Sequence, residues 1–107
     1  MASIAWSGVF PAVTTQFHED LSVDLAATQR EIEALIGDGV DGLIMLGTCG
    51  ENNSLSADEK RRVLAAAKEA AAGRAPVLSG VSEFTTAAAV EHAKAAQEIG
   101  VDGLMLL

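Results

Sequence analysis

A parallel α/β fold, built from β–α units in the order βαβαβαβ, is predicted by three features of this 107-residue sequence. Short apolar runs alternate with longer segments of helical periodicity. The apolar runs are nearly continuous, as in strands covered on both faces of a parallel sheet. The octapeptide GVDGLIML at 39–46 returns as GVDGLMLL at 100–107, an offset of 61 residues that spans two β–α units. Two architectures share this order: an open doubly wound sheet and part of a (β/α)₈ barrel. Units of about 30 residues, repeated eight times, give the ~250 residues typical of the barrel. On the barrel reading, residues 1–107 are the N-terminal part of one domain with no internal boundary.

The elements follow in order. Val9 to Phe17, rich in β-branched and aromatic residues, predicts a strand, with Pro11 near its start where a missing N–H is tolerated. Asp24 to Ile36 predicts a helix. Leu25, Ile32, Leu35 and Ile36 share one face, Arg30, Glu31 and Glu33 lie away from it, and Gly37 and Gly39 end it. Gly42 to Leu46 is a second strand. Ser56 to Ala72 is the clearest helix, opened by the Ser56/Glu59 capping box and stopped at Gly73. Pro76 to Val81 is a third strand. Thr85 or Thr86 caps a third helix running to Ile99, with Gly100 at its end, and Gly103 to Leu107 forms a fourth strand. An apolar strand with no partner after it would expose unpaired N–H and C=O groups. The expectation is therefore a longer natural protein, which an intact mass well above 11.0 kDa would demonstrate.

Composition narrows the function. The formal charge of −8 disfavours nucleic-acid backbones and anionic membranes as partners. A single cysteine makes no internal disulfide, which fits a reducing cytoplasm. The N-terminus lacks the pattern of a signal peptide, and no run is long enough to span a membrane. His18, His92 and Cys49 have no zinc-site spacing, so no metal is expected.

The chemistry is sought at the carboxyl end of the second strand, where parallel folds place their ligands. The sequence there is Gly47-Thr48-Cys49-Gly50-Glu51. A nucleophilic Cys49 needs a nearby base or cation, and its neighbour Glu51 opposes thiolate formation; a small buried filler is the expected role. A phosphate loop would need a Gly-Lys-Ser/Thr continuation that is missing. A third reading is a carboxylate cradle. Gly47 and Gly50 would permit a tight turn with N–H groups aimed inward, and the Thr48 hydroxyl would add a donor. A plain glycine-rich βα turn explains the same spacing.

GTCGEN after an apolar strand resembles the Gly-Thr-Thr-Gly-Glu motif of the dihydrodipicolinate synthase/N-acetylneuraminate lyase family. GVFPAVTTQF, DLSVDL, LSADEKRRVL and PVLSGV resemble that family's first strand, following loop, second helix and third strand, in order along nearly the whole chain. The resemblance implies a (β/α)₈ barrel and a class I aldolase-like lyase. Such enzymes are homotetramers without a cofactor that bind pyruvate or another 2-keto acid as a Schiff base on lysine. It implies that Thr48 touches the keto-acid carboxylate and joins the proton relay. Cys49, replacing a second Thr, would donate only its backbone N–H, Gly47 and Gly50 would shape the loop, and Glu51 would hold it through backbone hydrogen bonds.

The family's acid–base Tyr and Schiff-base Lys belong to strands five and six, beyond these residues. Lys60, Lys68 and Lys94 fall on predicted helices and read as solvated surface charges, so the 107 residues alone are expected to trap no pyruvate adduct with borohydride. Glu83 is a weaker site residue, positioned to meet substrate at the barrel mouth or simply to cap or be solvated. Asn52 and Asn53 close the loop or face the site, His18 is a loop residue, and His92 faces solvent. Cys49, Gln16 and Glu83 depart from the synthase pattern and look more like branches that dehydrate or deaminate keto-deoxy sugar acids or pyrroline-4-hydroxy-2-carboxylate. The reading of another class is a non-catalytic half-barrel that binds a carboxylate or pairs with another chain.

Overall fold

A computed structural model describes residues 4–107; the first three residues of the N-terminal stretch just discussed lie outside it. Three parallel strands, β1 (Leu43–Met45), β2 (Val77–Val81) and β3 (Gly103–Leu106), lie side by side in chain order. Leu43 is opposite Val77, and Leu78 is opposite Gly103. Helices α1 (Leu25–Gly37), α2 (Ala57–Ala71) and α3 (Thr86–Ile99) fill the connections; α2 packs against both α1 and α3. A doubly wound sheet reverses its strand order at a switch point. Here the segment 9–17 lies beside β1, so four successive segments keep chain order without reversal and each helix packs on the next, as in half of a (β/α)₈ barrel.

The predicted first strand is a correction. Residues 9–17 run alongside β1, yet they form only one parallel bridge, Ala12 opposite Ile44. Two bonds hold it: Val13 N–H to the Ile44 carbonyl at 2.9 Å and Ile44 N–H to the Pro11 carbonyl at 3.0 Å. Pro11 contributes no N–H, and β1 is only three residues long, so a ladder cannot extend. The segment then folds back through a second bridge, Phe17 opposite Val23.

The helices begin where local capping dictates. The Asp24 side chain accepts from Ala27 N–H, Ser56 and Glu59 form the full capping box, and Thr85 accepts from Ala88 N–H. Helix α2 stops one residue before the expected Gly73, with Ala72 left-handed at φ 49°. The core lies between sheet and helices. Ile32, Leu43, Met45, Leu64 and Val77 are fully buried, and Ala67, Ala71 and Ala96 let the helices approach closely. Each large buried side chain contributes about 1.5–3 kcal/mol.

The 61-residue echo has a structural meaning. Asp41, just before β1, donates its N–H to the Val9 carbonyl at 2.9 Å and accepts the Val9 N–H on Oδ2 at 2.7 Å. Asp102, just before β3, does the same to Val77, at 2.8 Å for both bonds. Each aspartate clamps the start of the neighbouring chain segment. Asp102 also receives Lys68 Nζ at 3.3 Å, so Lys68 is half-buried rather than a free surface charge.

Candidate functional site

At the carboxyl end of β1, Leu46 takes a left-handed φ of 58° and the chain turns sharply. Gly50 N–H returns to the Gly47 carbonyl at 3.1 Å, Glu51 N–H to the Thr48 carbonyl at 3.0 Å, and Asn52 N–H to the Gly47 carbonyl at 3.3 Å. A short 3₁₀ turn, Asn52–Ser54, follows. The left-handed positions of the turn are not its glycines but Leu46 and Glu51, at φ 58° and 59°. Gly50 is needed for space. A Cβ there would stand 2.9 Å from the Leu46 nitrogen and 3.1 Å from the Val13 carbonyl oxygen. Gly47 is buried with room to spare, its nearest such contact being Met105 at 3.8 Å.

Thr48 and Cys49 are exposed at the top of this turn. Among the described residues neither of their N–H groups has an acceptor, whereas those of Gly50, Glu51 and Asn52 are engaged in the turn itself. The donors the turn leaves unengaged are thus the amides of Thr48 and Cys49. Glu51 holds the loop through its main chain, since Ser54 N–H bonds to its carbonyl at 2.9 Å. Cys49 is exposed, not the buried filler expected from its sequence neighbours. No histidine base serves it: His18 is paired with Asp24 at 3.3 Å, and His92 Nε2 lies 2.9 Å from Ser79 Oγ.

Several expectations change. His92 faces inward and is buried, not solvated. Its pKa is pushed below the usual 6.5, chiefly by desolvation; the Glu83 charge opposes this and the Lys60 charge adds to it. Lys60 is buried as well, with its ammonium 2.7 Å from Glu83 Oε1. Glu83 is therefore taken by an ion pair rather than capping or facing solvent. Asn52 closes the loop, its Nδ2 donating to the Ser82 carbonyl at 3.0 Å while its buried Oδ1 has no partner among the described residues. Asn53 is exposed, as is Lys94.

Sequence reasoning missed Thr15 as a support of the turn. Its buried hydroxyl donates to the Gly50 carbonyl at 2.7 Å. The available signal was a threonine within an apolar strand pattern, a polar group that burial obliges to find a partner. Its neighbours Thr14 and Gln16 both bond to Glu31 of α1, at 2.9 and 2.6 Å. No cluster of three or more His, Cys, Asp or Glu side chains that could hold a metal occurs among the described residues.

A model of the dihydrodipicolinate synthetase family matches residues 5–107. The chain belongs to this family. The 4-hydroxy-tetrahydrodipicolinate synthase of Salinibacter ruber is 45% identical over 100 residues, covering 94% of this chain and 33% of that protein. Among solved structures, YagE, a prophage protein of the dihydrodipicolinic acid synthase family from E. coli K12 solved in complex with pyruvate, superposes with a TM-score of 0.90. It is 35% identical, and the match covers 94% of this chain and 34% of YagE. Dihydrodipicolinate synthase from Aquifex aeolicus gives a TM-score of 0.89 at 34% identity over the same shares. The chain spans about a third of the length of the curated relatives it matches. The matched span includes the Thr15 segment, the turn 47–51 and helices α1 and α2.

Proposed function

We propose that this chain is the N-terminal part of a single-domain (β/α)₈ lyase acting on a pyruvate-type 2-keto acid, with the turn 47–51 as its carboxylate cradle. The observation that carries the reading is the pair of unengaged amides at Thr48 and Cys49 beside the Thr48 hydroxyl, at the carboxyl end of a parallel strand. Neutral, fixed donors of this kind suit a small carboxylate. Gly50 gives the turn its room, and the Gly47 carbonyl anchors it by accepting the Gly50 and Asn52 N–H groups. The Thr48 hydroxyl both orients the carboxylate and passes a proton. The carbonyl is activated as a Schiff base by a lysine outside this segment, because Lys60 and Lys68 are held in ion pairs and Lys94 sits on an exposed helix face. Residues 1–107 alone are inactive on this reading. By family resemblance, the assembled enzyme is a cytoplasmic homotetramer.

Gln16 and Glu83, which depart from the synthase pattern, bond to Glu31 and Lys60. They do not favour a dehydratase or deaminase of sugar-acid or pyrroline substrates, and Cys49 remains the departure at the turn. In the full-length enzyme, Thr48→Val should lower kcat by about 100-fold, the lower range for a lost proton-transfer group. Cys49→Ala keeps the amide and should stay within about twofold of wild type. Equal losses in the two variants would reject the assigned roles, and failure of borohydride to trap pyruvate on the full-length protein would favour a non-catalytic carboxylate binder.

A further inference from the structure

We propose that Lys60 and Glu83 are positioning residues for the 47–51 turn, tying helix α2 to it through the connection that follows β2; its consequence for substrate rests on the carboxylate reading above. The path is continuous. Lys60 Nζ donates to Glu83 Oε1 at 2.7 Å. The preceding residue, Ser82, accepts Asn52 Nδ2 on its carbonyl at 3.0 Å. Asn52 in turn gives its N–H to the Gly47 carbonyl at 3.3 Å, at the base of the turn.

Two observations make this more than a list of contacts. Lys60 is only 5% exposed, and a buried ammonium persists only where a partner compensates its lost hydration. Helix α2 fills the rest of this face with apolar groups such as Val63, Leu64 and Ala67, so the charge is an exception on an otherwise apolar face. The connection 82–85 also lacks an apolar anchor, because Phe84 is 93% exposed. Its hold on the turn is polar: the ion pair on one side and the Ser82 carbonyl on the other. Asn52 has no second side-chain bond of comparable strength, its contact to Asn53 being 3.3 Å, so a displaced Ser82 would leave it free to rotate.

The test compares Lys60→Met, Glu83→Gln, Lys60→Arg and the double variant Lys60→Met/Glu83→Leu in the full-length protein. The readouts are amide hydrogen exchange at Gly50, Glu51 and Asn52 without substrate, the urea midpoint, and keto-acid kinetics. Exchange at these amides should quicken about tenfold in both charge-removing single variants, and Lys60→Arg should restore it. The double variant removes both buried charges, so its urea midpoint should recover while exchange stays fast. Unchanged exchange in the single variants would overturn the proposal. So would exchange in the double variant that returns to normal together with stability, the signature of a merely structural pair. The KM for keto acid should rise about fivefold with kcat held within about twofold. If exchange quickens and KM does not move, the positioning role stands and the carboxylate reading falls.

Discussion

Replacing Gly80 by alanine tests how the turn is seated on the sheet. A Cβ at Gly80 would lie 2.3 Å from the Leu46 carbonyl oxygen, 2.9 Å from its carbonyl carbon and 3.2 Å from the Gly47 nitrogen. All three are main-chain atoms, so no side-chain rotation relieves the overlap. Non-bonded contacts of carbon settle near ~3.5 Å, and either β2 or the end of β1 must therefore retreat by about 1 Å. Leu46 already occupies the small left-handed region and has little freedom to accommodate this. Overpacking costs about 1–3 kcal/mol in general, and a backbone-to-backbone overlap belongs at the upper end, about 3 kcal/mol. With an m value near ~1.5 kcal/mol/M, the urea midpoint should fall by about 2 M. On the proposed function, the same ~1 Å displacement carries Thr48 with it and should cost the full-length protein about 100-fold in kcat/KM. Gly37→Ala is the control: nothing lies within 4 Å of its Cβ position at the end of α1, and it should stabilise. The expected gain is about 0.4–1 kcal/mol. A Gly80→Ala midpoint within the error of wild type would refute the steric argument.

Other measurements probe the remaining contacts. Thr15→Val leaves the buried Gly50 carbonyl without its 2.7 Å donor and should cost about 1–3 kcal/mol by urea unfolding, whereas Thr15→Ser should recover most of it. Asp102→Ala strips a charge-assisted bond from Val77 N–H and frees Lys68; a loss of about 1.5–3 kcal/mol is expected, and Asp41→Ala should fall slightly short of it because no lysine joins that clamp. His92 has a pKa below its ordinary 6.5, so between the two values the folded state binds fewer protons than the unfolded one. Its contribution is complete above about pH 6.5 and declines as pH falls toward the lowered pKa. The urea midpoint should therefore drop between about pH 7.5 and pH 5.5, and His92→Gln should flatten that slope; an unchanged slope would exclude His92 as its source.

The helices were legible because their signals are local. Asp24, Ser56 with Glu59, and Thr85 each announce a start within three residues of the backbone group they cap. The sheet order was only half legible, since alternation gives the units but not whether the order reverses. The misread charged helix positions share one property: their partners are distant in sequence. Lys60 and His92 look like solvated helix positions until Glu83, 23 residues on, and Ser79, 13 residues back, are brought against them. The turn motif was visible as a motif, but its mechanics were not. A glycine pattern does not reveal that Leu46 and Glu51 take the left-handed positions while Gly50 yields space to the Val13 carbonyl.

The two aspartate clamps give the chain matched splice points. Gly39 and Gly100 share a positive φ, 93° and 97°, and each leads into the same Val-Asp-Gly and the same two-bond grip on the neighbouring segment. Residues 39–99 are accordingly a cassette with interchangeable ends, which can be duplicated or exchanged with a homologous pair of units without redesigning either junction. Both seams lie at the end of the sheet away from Thr48, so the turn 47–51 travels whole inside the cassette and neither junction cuts it.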